Sequence, residues 1–260
     1  MKPACFISFC LLMIIQASAI LDARARTSTS GDTSYPSRLV GDTISFSGYD
    51  WIVKDSKDKI IGPGKNYFSS STENVWTDST GRLHLRMTFR NDKWLCPEVH
   101  LLHSFGSGTY SFYLEGTDLE LDKDVVIGLF LYDYSNSDKN HNELDIEFSK
   151  WGEDVNINSQ YVIQPDVSKA YRFDCDLKKP SVHSIHVVKR SVEFSSRLES
   201  TPATASKKEF LASEKMKLHK AYQPEADRAC INVWLYKATE PTNLKEFEIV
   251  ISKFEFNPAD

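Results

Sequence analysis

The sequence predicts an all-β protein built as a sandwich of two sheets. Short runs that alternate apolar and polar residues recur along most of the chain, each broken by Gly, Pro, Asn or Asp. That is the period-two signature of half-buried strands. Apolar positions at helical spacing are scarce, and many strands without intervening helices leave a sandwich or a barrel. VVIGLFL (125–131) is apolar at every position, and CINVWLY (230–236) nearly so, which predicts strands covered on both faces. Two stacked sheets supply that environment for their central strands.

In chain order, MKPACFISFCLLMIIQASA (1–19) has an early Lys, an apolar run from Phe6 to Ile15 and the small-x-small triplet Ala17-Ser18-Ala19. These are the parts of a secretory signal peptide, and the apolar run is too short for a membrane span. Residues 20–42 are polar, small and aperiodic, a leader with nothing to bury. From 43 to 260 the length suits one large β-domain. Its strands are expected at RLHLRMTF (82–89), LCPEVHLL (95–102), GTYSFYLEG (108–116), VVIGLFLYD (125–133), HSIHVV (183–188), CINVWLY (230–236) and FEIVISKFEF (247–256). Another, within NINSQYVIQP (156–165), follows an acidic run at 143–147. The one stretch with helical character is KKEFLASEKMKLHKAY (207–222), which reads equally as an irregular loop. GPGKNYF (62–68) reads as a surface loop with a packed Phe.

A formal net charge of -5 with no basic run argues against a nucleic-acid partner. After signal cleavage no segment of membrane-spanning length remains, so a secreted, extracellular monomer is expected. Cys5 and Cys10 leave with the signal, and Cys96, Cys175 and Cys230 remain, enough for at most one internal disulfide. No CxxC or HExxH occurs, so neither a metal site nor a cofactor is implied.

The run NELDIEFSKWG (142–152) carries the chemistry. On a strand, residues i, i+2 and i+4 share a face, so Glu143, Asp145 and Glu147 project together while Leu144, Ile146 and Phe148 enter the core. The Cα atoms of the two glutamates would lie ~13 Å apart, and inward-leaning side chains could bring the carboxyls to the ~5–5.5 Å of a retaining glycosidase. Packed acids cannot all ionise cheaply, so one is expected to hold its proton near neutrality. A solvated strand face would more often interleave Lys or Thr, because adjacent like charges cost stability. A hard-cation site is the other use of clustered acids.

ELDIEF resembles the signature of glycoside hydrolase family 16, the lichenase, laminarinase and xyloglucan-transferase clan. LCPEVHLLHSFGSGTYSFYLEG, GLFLYD and CINVWLY are similar to flanking stretches of the family, in family order over about residues 45–257. The resemblance implies a β-jelly-roll sandwich of two curved antiparallel sheets with a cleft on one face. It also implies Glu143 as nucleophile, Asp145 as the assisting acid and Glu147 as general acid/base. Glu98, Phe130, Tyr132, Asn232 and Trp234 match cleft positions, and Gln160 and Gln164 share one face of the strand that runs beside the catalytic one. Trp51, Trp76 and Trp94 are read as packing residues, while Trp151 could serve either purpose.

The chain departs from the family where lichenases carry Trp-Asp, here His141 and Asn142. It departs again at His100, in place of an arginine, and at Val187, in place of a Trp. The uninterrupted ELDIE lacks the extra residue of laminarinase-type members. The expected function is a secreted retaining glycosidase cleaving internal bonds of a β-linked polysaccharide, a β-glucan or galactan. Transglycosylation by the same residues and non-catalytic glycan binding are the alternatives.

Overall fold

Strand pairing runs through residues 43–258 of the computed structural model, which describes residues 41–134, 143–220 and 222–259. The expected signal peptide, nearly all of the leader, His141 and Asn142 lie outside the described residues. The first strands are β1 (Thr43–Phe46), β2 (Tyr49–Val53), β3 (Tyr67–Phe68), β4 (Val75–Thr77), β5 (Leu83–Arg90) and β6 (Lys93–Cys96). Then come β7 (Glu98–Leu101), β8 (Gly108–Leu114), β9 (Val125–Asp133), β10 (Glu143–Phe148), β11 (Ser159–Ile163) and β12 (Tyr171–Phe173). The last are β13 (Ser181–Val188), β14 (Ser191–Leu198), β15 (Ala212–Lys217), β16 (Asp227–Leu235) and β17 (Phe247–Pro258).

Two sheets form the jelly-roll sandwich. One has the order β1-β2-β7-β16-β9-β10-β11-β12, the other β15-β14-β13-β8-β17-β5-β6-β3 with β4 beside β5. Pairing is antiparallel except between β3 and β6, which run parallel, so the second sheet is mixed rather than purely antiparallel. The expected strand at 95–102 divides at Pro97: β6 belongs to one sheet and β7 to the other. Proline cannot donate to a ladder, which makes it a natural point for the chain to change sheets.

The stretch at 207–222, open between a helix and an irregular loop in the sequence, forms neither throughout: its centre is a strand. Residues 207–209 make one 3₁₀ turn, and β15 then pairs along the edge of β14. Ala212 is buried and Lys215 and Lys217 are exposed, so the run is read by a two-residue period once an open strand edge lies beside it.

The core lies between the sheets. Leu144, Ile146 and Phe148 of β10, with Ile127, Leu129 and Leu131 of β9, meet Phe112, Ile185, Phe194 and Phe254 of the other sheet. All ten are at most 1% exposed, and each such side chain contributes about 1.5–3 kcal/mol of transfer free energy. Phe148 meets His183 of β13 edge-on at 4.8 Å. His183 lies between the Ser181 and Ser196 hydroxyls, each 2.8 Å away, and Ser196 accepts from Tyr161 of β11 at 2.7 Å. Burial pushes the His183 imidazole down to about 3, so it stays neutral in the core. Trp51 is fully buried, and Trp76 and Trp94 are partly so.

Candidate active site

Alternation in ELDIEF fixes the site. Burying Leu144, Ile146 and Phe148 forces Glu143, Asp145 and Glu147 onto the outer face of the first sheet. Strand register then sets their neighbours in rows. Glu98, Asn232, Gly128, Glu147, Gln160 and Arg172 follow one another across β7, β16, β9, β10, β11 and β12. The next row holds His100, Cys230, Phe130, Asp145 and Val162, and the third holds Arg228, Tyr132 and Glu143. At ~4.8 Å between strands, a six-strand row spans roughly 24 Å.

A cleft of about 1000 Å³ opens over these rows. Glu98, Phe130, Tyr132, Glu143, Asp145, Glu147, Gln160, Asn232 and Trp234 all line it. Gln164 and Trp151 line it too, and Trp151 is half-buried rather than part of the core. The outer face of VVIGLFL is therefore floor of the cleft, not the underside of a further layer. Missing from the sequence-based expectation are Lys54, Gly128, Tyr134 and Arg172, which line it as well. A lone Lys in a polar loop, or an Arg in a three-residue edge strand, carries no pattern that singles it out.

The acids differ in environment. Burial and the neighbouring Glu143 and Glu147 carboxylates push Asp145 well above the ordinary carboxylate range. The Gln164 side chain hydrogen-bonds it, and Asp145 Oδ2 has no partner among the described residues. Burial pushes Glu147 up to about 7, against the opposing pull of Gln160 and of Arg172. Gln160 Nε2 donates to Glu147 Oε2 at 2.6 Å, which fixes the amide and leaves Gln160 Oε1 without a partner among the described residues. The upward shift of Asp145 lessens the repulsion that three adjacent charges would impose.

The β7 side of the cleft is a charged network. Burial alone would raise the Glu98 carboxyl, but Lys54 and His100 bring it down to about 2. Lys54 Nζ lies 2.8 Å from Glu98, also donates to the Gly62 carbonyl, and sits 4.1 Å from the Phe68 ring centre. His100 is wholly enclosed and pulled below its usual range, so as the neutral imidazole it donates Nε2–H to Glu98 at 2.7 Å. Lys54 thus balances the Glu98 charge. Tyr134 stacks on His100 at 4.8 Å, and Tyr132 meets Tyr134 edge-on at 4.6 Å. Glu98 in turn accepts from Asn232 Nδ2 at 3.1 Å, leaving Asn232 Oδ1 beside Gly128. A Cβ on Gly128 would fall 2.5 Å from that oxygen. The missing side chain opens the floor between Asn232 and Glu147.

The 62–68 segment is more than a surface loop. Ile61, Gly62 and Pro63 line the cleft, and a Cβ on Gly64 (φ +64°) would fall 2.6 Å from the Trp234 ring. Asn66 Nδ2 donates to the Pro63 and Leu235 carbonyls, which ties the loop to the end of β16. One side of Trp234 is thereby covered. Phe68 is packed, as expected. Among the described residues no group of three or more His, Cys, Asp or Glu is placed to hold a metal ion.

No protein-family profile matches the chain, and no curated protein matches it. Solved structures do. A Bacillus licheniformis β-glucanase superposes with TM-score 0.58 at 14% identity, over 80% of this chain and 92% of that one. A protein of Mycobacterium tuberculosis described as an immunostimulatory antigen and pseudo β-1,3-glucanase gives 0.58 at 14%, over 81% and 91%. A LamA variant from Zobellia galactanivorans, solved with laminaritriose and laminaritetraose, gives 0.54 at 12%, over 79% and 91%. At these identities the likeness is one of fold.

Proposed function

We propose that the chain is a secreted retaining glycosidase that cleaves internal bonds of a β-glucan-type polysaccharide. The observation that carries this reading is the acid trio itself. Glu143, Asp145 and Glu147 line one open cleft, and Glu147 is poised at about 7, where a general acid must sit to donate at working pH. Glu143 attacks the anomeric carbon while protonated Glu147 gives its proton to the departing glycosidic oxygen. Deprotonated Glu147 then takes a proton from water, which hydrolyses the glycosyl–enzyme. Asp145 lies between them on the same strand face, its carboxyl raised by both neighbours and so suited to carry a proton that assists the Glu143 nucleophile. The groove of aromatic and hydrogen-bonding side chains suits sugars, whose rings have apolar faces and polar rims. The glucanase fold of the structural neighbours supports a β-glucan over a galactan.

One neighbour bears the description pseudo β-1,3-glucanase, so glycan binding without cleavage is the competing reading. The test is a reducing-sugar assay over laminarin, lichenan, xyloglucan, agarose and carrageenan. Glu143→Gln is expected to abolish cleavage, and Glu147→Gln to lower kcat by about 10²–10⁴-fold, with neither variant losing thermal stability. Polymer binding without new reducing ends in the unmodified chain would favour the competing reading. Longer products on adding an oligosaccharide acceptor would mean transfer in place of hydrolysis.

A further inference from the structure

Arg172 stands in the row of the acid/base, two strands away, and lines the cleft with Trp151. Its guanidinium carbon lies 4.9 Å from the Trp151 ring centre. Trp151 is carried on a tight turn: it has φ +49°, its backbone N–H donates to Ser149 Oγ at 3.0 Å, and Gly152 N–H donates to the Lys123 carbonyl at 2.8 Å. A guanidinium on an indole face is held flat by cation–π attraction, which presents its donor fork pre-oriented.

That fork is unused. Arg82, Arg86 and Arg90 are ion-paired, and Arg197 and Arg228 donate to backbone carbonyls. Among the described residues Arg172 has neither kind of partner, nor does Arg190, but only Arg172 of these two lines the cleft. Glu153 lines the same cleft but makes no ion pair with it. Lys54, the other cleft cation, is committed to Glu98. Between Arg172 and Glu147 lies Gln160, whose buried Oε1 is an unpartnered acceptor. A sugar across β11 would give a hydroxyl to Gln160 Oε1 and bring its next substituent to Arg172.

We infer that this half of the cleft is a subsite for a sugar carrying an oxyanion, a carboxylate or a sulfate ester, bound by the Arg172 fork beside the catalytic row. The inference rests on the glycosidase reading and narrows its substrate to an acidic β-linked polysaccharide. Two oxygens of a carboxylate, or of a tetrahedral sulfate ester, can pair with a guanidinium in two-point fashion, and a charge-assisted pair outweighs a hydrogen bond between neutral groups.

Binding and turnover separate the two readings. Calorimetry on Glu143→Gln, with and without Arg172→Gln, compares laminarin oligosaccharides that are neutral, oxidised at C6 to the carboxylate, or sulfated. The ratio of anionic to neutral affinity is expected to be tenfold or more, and to fall by about tenfold to hundredfold in Arg172→Gln. Whichever anionic arm holds the advantage identifies the group. Arg172→Lys, which keeps the charge and loses the fork, should recover part of the ratio. Arg172 is exposed on an edge strand, so unchanged melting curves serve as the folding control. Equal affinity for neutral and anionic oligosaccharides, or an anionic advantage that survives Arg172→Gln, overturns the inference. Absence of turnover on every polymer by the unmodified chain overturns the glycosidase reading instead.

Discussion

Single atoms decide the chemistry of this cleft. Gln160 gives Glu147 a 2.6 Å hydrogen bond that favours the carboxylate, so Gln160→Leu should raise the Glu147 pKa from about 7. The alkaline limb of kcat/KM would move upward by about one pH unit, read from a pH–rate profile. Glu147 also has a price in stability. A carboxyl whose native pKa is raised stabilises the fold fully below its unfolded value near 4.5 and loses that contribution as pH climbs to about 7. Glu147→Gln escapes that loss, so its melting temperature should gain on the unmodified chain between pH 4.5 and 7, as calorimetry at several pH values would record. His183 acts at the acid end. Its native pKa of about 3 lies below the 6.5 of a histidine in the unfolded chain, so its contribution falls as pH drops between those values. Gly128 is decided by geometry: Gly128→Ala places a methyl 2.5 Å from Asn232 Oδ1, and lower activity with about 1–3 kcal/mol of lost stability is expected from assays and denaturant melts. The acid trio could be read from spacing alone, because alternation on a strand dictates a shared face. Lys54 and Arg172 could not, since their roles arise from neighbours far away in the chain.

Among elements, most long strands with one apolar face were legible and short ones were not, the eight-residue β14 being a long strand that was missed. β8, β9, β13, β16 and β17 hold seven or more residues each, enough for a two-residue period to register. β3, β4 and β12 hold two or three and exist only because a partner strand lies beside them. The 207–222 stretch misled for a related reason: Phe210, Leu211 and Leu218 also fit a helical stripe, and only the open edge of β14 selects the strand. The loop at 61–66 was underread because its role depends on contact with Trp234, 170 positions or so further on. Gly64→Ala tests that role. It combines a left-handed backbone with a 2.6 Å clash against the indole, so about 1–3 kcal/mol of destabilisation and a higher KM are expected from melts and steady-state kinetics.

Across the whole molecule, the three cysteines of the domain are buried and unpaired. Burial pushes the Cys96 and Cys175 thiols up to about 12, and Cys230 is raised as well, so none is poised to react. A thiol reagent should find these three inert in native protein and reactive in denaturant, and reducing agent should leave the melting temperature unchanged. The fold therefore draws its cohesion from the interlocked sheets alone, and Pro97 bears on how they come apart. Because one unbroken stretch crosses there from layer to layer, neither layer can peel away while its counterpart keeps its order. Amide protons on both would be expected to exchange through a shared opening event, giving the sugar groove the same lifetime as the interior beneath it.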